Sequence, residues 1–222
     1  MDSLINTWSF APLLAEGLRT TIGLTLSSAA LALLIAFIFG FAKLSRIKAI
    51  RYLAYVYIEF FRGTSVIIQL FWIYFVLPLL GVPLSPFLAG VIALGLNGGA
   101  YGAEVVRGAI LAVPREQWEA CVALNMTKWQ SFRHVIVPQA VIVMLPTFGN
   151  NIVEILKGTA IVSLISLSDL TFQAQVVRAQ TGETAGPFIS ILLLYYMLSL
   201  LFGLGMKRLE ARAAKGTTGV RA

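Results

Sequence analysis

The chain has 222 residues, 58% of them hydrophobic and 12% charged, with a formal net charge of +7 and a mean hydropathy of +0.84. A soluble domain carries about 25% charged residues, so composition excludes an ordinary soluble enzyme, and the length suits one membrane-embedded bundle without a second soluble domain. A single cysteine, Cys121, and a single histidine, His134, exclude an internal disulfide and any multi-cysteine or paired-histidine metal site.

The first apolar run, 20–42, is too long for a signal-peptide core of about 7–15 residues. Basic residues from Lys43 to Arg51 follow it as a stop-transfer cluster. Crossing a hydrocarbon core of about 30 Å takes about 20 apolar residues at 1.5 Å each. By that measure the sequence predicts five spans, at 20–41, 52–80, 84–110, 135–157 and 187–206, in an all-α integral membrane fold. Residues 1–210 read as one transmembrane domain, and 211–222 as a basic, flexible tail.

Basic clusters follow the first, third and fifth spans: Lys43 to Arg51, Arg107 to Arg133, and Lys207 to Arg221. The other two connections carry only Arg178, set against Asp169 and Glu183. The positive-inside rule then puts the N-terminus outside and the C-terminus in the cytoplasm. This placement accounts for the net charge without nucleic acid.

The apolar region 135–167 exceeds one crossing and contains Pro146, Gly149-Asn150-Asn151 and Gly158-Thr159. One reading is a kinked span followed by a short non-spanning segment, 161–167, packed at the outer side, since irregular backbone at membrane depth must be buried in protein or line a cavity. The other is a kinked helix with a long apolar loop.

Three acid–base pairs sit three residues apart: Glu59 with Arg62, Glu104 with Arg107, and Glu154 with Lys157. On a helix such positions are neighbours, and pairing offsets the cost of charge at bilayer depth. The first two pairs lie near span ends and read as ties between helices. Glu154/Lys157 lies deeper and reads as part of a polar route. Gln69, Asn97, Tyr101 and Glu154 are the candidates for solute contact. The small residues around Asn97, Gly98-Gly99-Ala100 and Gly102-Ala103, read as a close helix contact.

The connection 112–139 is punctuated for structure. Pro114 can open a helix, and Asn125 tolerates the left-handed conformation that ends one. Thr127 with Gln130 matches a capping box for a second helix, 128–137, expected to end at Pro138. Two capped helices on the cytoplasmic side read as a docking hairpin. A DNA-binding helix-turn-helix is excluded by its tether between two spans.

In that loop, Glu119-Ala120-Cys121, Asn125 and Val137-Pro138-Gln139-Ala140 resemble the Glu-Ala-Ala signature of binding-protein-dependent ABC importer permeases. Cys121 replaces the second alanine and Asn125 the glycine. Glu59-Phe60-Phe61-Arg62-Gly63-Thr64, Asn97 through Ala109, and Leu145-Pro146 through Thr159 resemble the polar amino acid branch in the right order. Arg62-Gly63-Thr64-Ser65 and Ala123-Leu124-Asn125 look like its ectoine and hydroxyectoine permeases.

The resemblance implies the five-helix permease fold of type I importers. It makes Glu119, Ala120, Cys121, Asn125 and Pro138 the ATPase-coupling loop, seated on a partner. The implied partners are two ATP-binding subunits that hold ATP and Mg²⁺, a second permease, identical or similar, and an extracytoplasmic solute-binding protein, all around a subunit in contact with membrane lipid. The chain itself is then no enzyme and needs no cofactor, and it has no Gly-x-x-x-x-Gly-Lys-Ser/Thr phosphate loop. The alternative is an autonomous secondary transporter or channel, which leaves the capped hairpin without a purpose.

Overall fold

In the computed structural model, which describes residues 10–215, the first apolar run forms helix α1 (Ala11–Lys43). Pro12, in its first turn, carries no N–H that the turn would leave unbonded. The helix therefore starts well before the expected position 20.

The second expected span is not one straight helix. Helix α2 (Lys48–Gly63) stops at Gly63, and α3 (Val66–Phe71) restarts after Thr64 and Ser65, which are both extended. The segment then continues through a π turn, Trp72–Val76, and a 3₁₀ turn, Leu77–Leu80, and the two halves are bent by 103°. Glycine costs about 1 kcal/mol in a helix interior. Gln69 secures the break: its amide donates to the Phe61 carbonyl at 3.0 Å and to the Thr64 hydroxyl at 2.7 Å.

Ser85 caps α4 (Pro86–Leu111), accepting from the Leu88 N–H at 3.3 Å. Helices α5 (Arg115–Ala123) and α6 (Lys128–Ser131) form the expected hairpin. Pro138 does not end the second of them. A π turn, Phe132–Ile136, carries α6 into α7 (Val137–Gly158), so that the Val137 N–H bonds the Phe132 carbonyl. Pro138 then falls in the first turn of the following regular helix, where its missing donor costs nothing. Pro146 lies inside α7 without ending it.

Residues Thr159–Ile165 form an ordered 3₁₀ segment, with Val162 and Ile165 buried in the core. They are not a loop. After it comes α8 (Leu170–Thr181), a helix outside the five expected spans. Helix α9 (Ala185–Lys215) closes the described chain. The boundary expected at 210/211 falls inside α9, because Ala211 to Lys215 carry no helix breaker. The rest of the expected tail, 216–222, lies outside the described residues.

Among the described residues, four continuous helical stretches are long and apolar enough to cross a membrane, and the bent pair α2–α3 makes five if it counts as one span. The described residues contain no strand. The most extensive helix pair is α1 with α4, built on small residues such as Ala32, Ala36, Ala100 and Ala103.

A buried polar node fastens α8 to the bundle. The Asp169 carboxylate accepts from the Phe172 N–H at 2.9 Å and from the Tyr195 hydroxyl of α9 at 3.2 Å. The Thr21 hydroxyl of α1 accepts from the Leu170 N–H at 3.2 Å. Burial pushes the Asp169 carboxyl above its ordinary range, against these hydrogen bonds, which act the other way. Asp169→Ala removes the cap and the Tyr195 hydroxyl's bond to the carboxylate, leaving that hydroxyl only the Thr159 and Thr171 hydroxyls, each at 3.4 Å. It is expected to cost about 1–3 kcal/mol, read as a lower unfolding midpoint in detergent. Asp169→Asn keeps the capping oxygen and is expected to cost less; equal midpoints for Asp169→Ala and wild type would remove the node from the stability account.

Candidate functional site

The hairpin between α5 and α6 is rigid for local reasons. Leu124 ends α5, and Asn125 takes φ 53°, the left-handed region. The Asn125 N–H bonds the Val122 carbonyl at 2.9 Å, and the Met126 N–H bonds the Cys121 carbonyl at 3.0 Å. That pair of bonds is the Schellman motif, with asparagine in the position usually taken by glycine. Thr127 then opens α6 with both halves of the capping box: its N–H donates to the Gln130 side chain at 2.9 Å, and the Gln130 N–H donates to the Thr127 hydroxyl at 3.3 Å.

Of the five signature residues, Cys121 is buried on the underside of the hairpin. Glu119, Ala120, Asn125 and Pro138 are exposed. Around them Val122, Leu124 and Trp129 stand open at 73%, 74% and 65% exposure. Three large apolar side chains on one rigid hairpin form an exposed apolar patch, the kind of surface that a partner protein can cover. Glu119 is held by Arg115 at 3.1 Å on the same helix.

The charged residues resolve into three situations. Glu104 pairs with Arg107 at 2.9 Å as expected, and also with Lys43 at the end of α1. That second partner is 61 positions away in sequence. Glu59 and Arg62 do not pair: the Arg62 guanidinium lies over the Tyr101 ring of α4, 5.3 Å from its centroid. Tyr101 is only three positions from Glu104 in sequence, yet aligns with the break through Arg62. Glu154 and Lys157 pair at 3.0 Å, with both side chains more than half exposed, at 69% and 57%.

The polar candidates separate in the same way. Asn97 donates to the Phe61 carbonyl at 2.8 Å and to Gln69 at 3.3 Å. Asn151 donates to the Gly98 carbonyl at 3.0 Å. Gln69, Asn97 and Asn151 thus satisfy backbone carbonyls where helices meet or break. Tyr101 and Glu154 are exposed. The structure adds Thr147 and Asn150, also exposed. With Glu154 and Lys157 they recur at helical spacing, one exposed polar stripe along α7. Asn150 was visible in the sequence as a polar residue in an apolar run, but its direction was not.

Residues 30–215 match the family described as the binding-protein-dependent transport system inner membrane component. The chain belongs to this family.

Among its relatives is a probable amino-acid ABC transporter permease of Sinorhizobium fredii, 42% identical over 91% of this chain and 87% of that protein. An L-cystine transport system permease of Bacillus subtilis is 35% identical over 92% and 88%. The crystal structure of an amino acid ABC transporter with histidines superposes with a TM-score of 0.89 at 37% identity, over 94% of this chain and 98% of that one. The permease is therefore a multi-pass inner-membrane subunit of an amino-acid ABC importer. ATP hydrolysis falls to a separate ATP-binding subunit, and solute capture to a binding protein. Sequence reasoning missed α8 although its signal was present: Asp169 directly precedes Leu170, Ala174 and Val177, apolar residues at helical spacing, as an N-cap does.

Proposed function

We propose that two such permeases, identical or similar, form the translocation path for a polar amino acid, with the α7 stripe of Thr147, Asn150, Glu154 and Lys157 facing the path. The exposed Glu154–Lys157 pair carries this reading. Charges in an otherwise apolar span face protein or water and not lipid, and this pair lies open on the isolated chain. Tyr101, with Arg62 over its ring, borders the same path, while Gln69 and Asn97 hold the broken helix beside it.

The hairpin around Glu119 docks on an ATP-binding subunit that holds ATP and Mg²⁺, one for each permease. The N-terminus lies outside, where the binding protein delivers solute. Nucleotide binding to the partner then shifts the permease between inward- and outward-facing states by its differential affinity for the two. An ectoine-like zwitterion is the second solute class that the sequence motifs favour.

The test is uptake into liposomes holding the complete complex, with glutamine, cystine, histidine and ectoine as solutes. Glu154→Gln is expected to change the apparent KM or the order of preference, with the complex still assembled. Wild-type kinetics for every solute would return the pair to a structural role. ATP-independent uptake by the lone permease would favour the autonomous carrier.

A further inference from the structure

At the end of the bundle that carries the hairpin, α1, α2 and α4 flank a shallow cavity, open to the surface, of about 740 Å³. Lys43, Lys48, Arg51 and Arg107 line it, with Tyr52 and Tyr55. The neighbouring carboxylate of Glu104 is taken by Lys43 and Arg107. Lys48 and Arg51 have no ion pair among the described residues.

The first turn of α2 forms part of the wall. Ile47 gives it no side-chain cap and the turn contains no acid. Its first backbone bond runs from the Arg51 N–H to the Ile47 carbonyl, 3.1 Å. The N–H groups of Lys48, Ala49 and Ile50 therefore point beyond the helix without an acceptor among the described residues. Two basic residues at the positive end of a helix dipole repel it. An anion seated there satisfies the side chains, the dipole and the N–H groups together.

The same helix continues from the cavity with Leu53, Val56 and Phe60 exposed. Their spacing places them along one side of α2. A basic cavity with an apolar stripe running from it is complementary to an amphiphile with an anionic head. Tyrosines at the rim suit the level of the lipid headgroups, and basic pockets between transmembrane helices on the cytoplasmic side recognise such headgroups.

We propose that this cavity binds the phosphoryl headgroup of one anionic phospholipid, with an acyl chain lying along Leu53, Val56 and Phe60. Lys48, Arg51 and the first turn of α2 hold the phosphate, and Lys43 and Arg107 add charge from the opposite wall. The inference rests on the membrane-embedded permease reading and is independent of the solute.

The experiment is native mass spectrometry of the complex with its ATP-binding subunit, released from nanodiscs of equal phosphatidylglycerol and phosphatidylethanolamine. Wild type is expected to retain phosphatidylglycerol preferentially. The double variant Lys48→Gln/Arg51→Gln is expected to lose that preference by on the order of 10- to 30-fold. The charge-preserving Lys48→Arg/Arg51→Lys is expected to keep it.

Equal retention by wild type and the Gln variant would overturn the site. So would the absence of any preference together with binding of inorganic phosphate in detergent, which would mark a soluble-anion site. A stripe covered by the second permease would give a preference insensitive to both variants, and that result would overturn the site too. Copurification of the ATP-binding subunit is scored in each sample. Loss of the complex then reports on the permease reading, and loss of lipid preference in an intact complex reports on the cavity alone.

Discussion

Replacing Glu119 with lysine is expected to leave the permease folded and inserted while lowering ATP-driven uptake by on the order of 100-fold. The fold has little to lose there. Glu119 is exposed and its one ion pair, with Arg115, is on the surface, where such pairs contribute about 0–1 kcal/mol. The loss follows from the docking proposed for this hairpin: there, charge reversal beside Val122, Leu124 and Trp129 would put a cation where a partner surface would meet the Glu119 carboxylate, and a charge mismatch across an interface costs several kcal/mol. The readout is uptake and ATPase activity of the reconstituted complex, with and without loaded binding protein. Uptake within twofold of wild type would remove Glu119 from coupling. Leu124→Ala in parallel separates charge from apolar contact, because it leaves the Schellman turn intact.

The second large effect is expected in the α1–α4 seam. A methyl group on Gly99 would lie 2.5 Å from Ile35 Cγ2 and 2.8 Å from Ile35 Cβ. Ile35 is buried and β-branched, so it has few rotamers with which to yield. Gly99→Ala is expected to destabilise by about 1–3 kcal/mol, and Gly99→Val to abolish accumulation of folded protein. Gly108, on the same helix, meets nothing within 4 Å. There the same change to alanine is expected to stabilise by up to about 1 kcal/mol, the difference in helix propensity. Unfolding midpoints of the two alanine variants, measured in one detergent, check this. Equal shifts would mean that the helices are not held at this separation in solution.

What could be read without the structure was local. Asn125 takes the left-handed conformation expected of it, and the Thr127–Gln130 box forms, because both depend on residues within a few positions. Pro138 shows the limit of that logic. A proline ends a helix only if the preceding turn cannot absorb the missing bond, and here a π turn does. The Glu59–Arg62 spacing was as suitable as Glu104–Arg107, yet only the second pair forms. Spacing offers a partner, and a helix packed alongside can offer a better one.

The membrane-spanning character, the capped hairpin and the family are all legible in the chain before it folds, because hydropathy, capping and motif order are written over short stretches. Which polar groups remain open is a matter of packing. Gln69, Asn97 and Asn151 are taken up by carbonyls of neighbouring turns and helices. Glu154 and Lys157 stay exposed. Lys43 reaches Glu104, and Lys48 and Arg51 are left facing a cavity. A polar side chain in an apolar bundle bonds whichever group the packing brings within about 3 Å, and that partner is set by how distant helices cross.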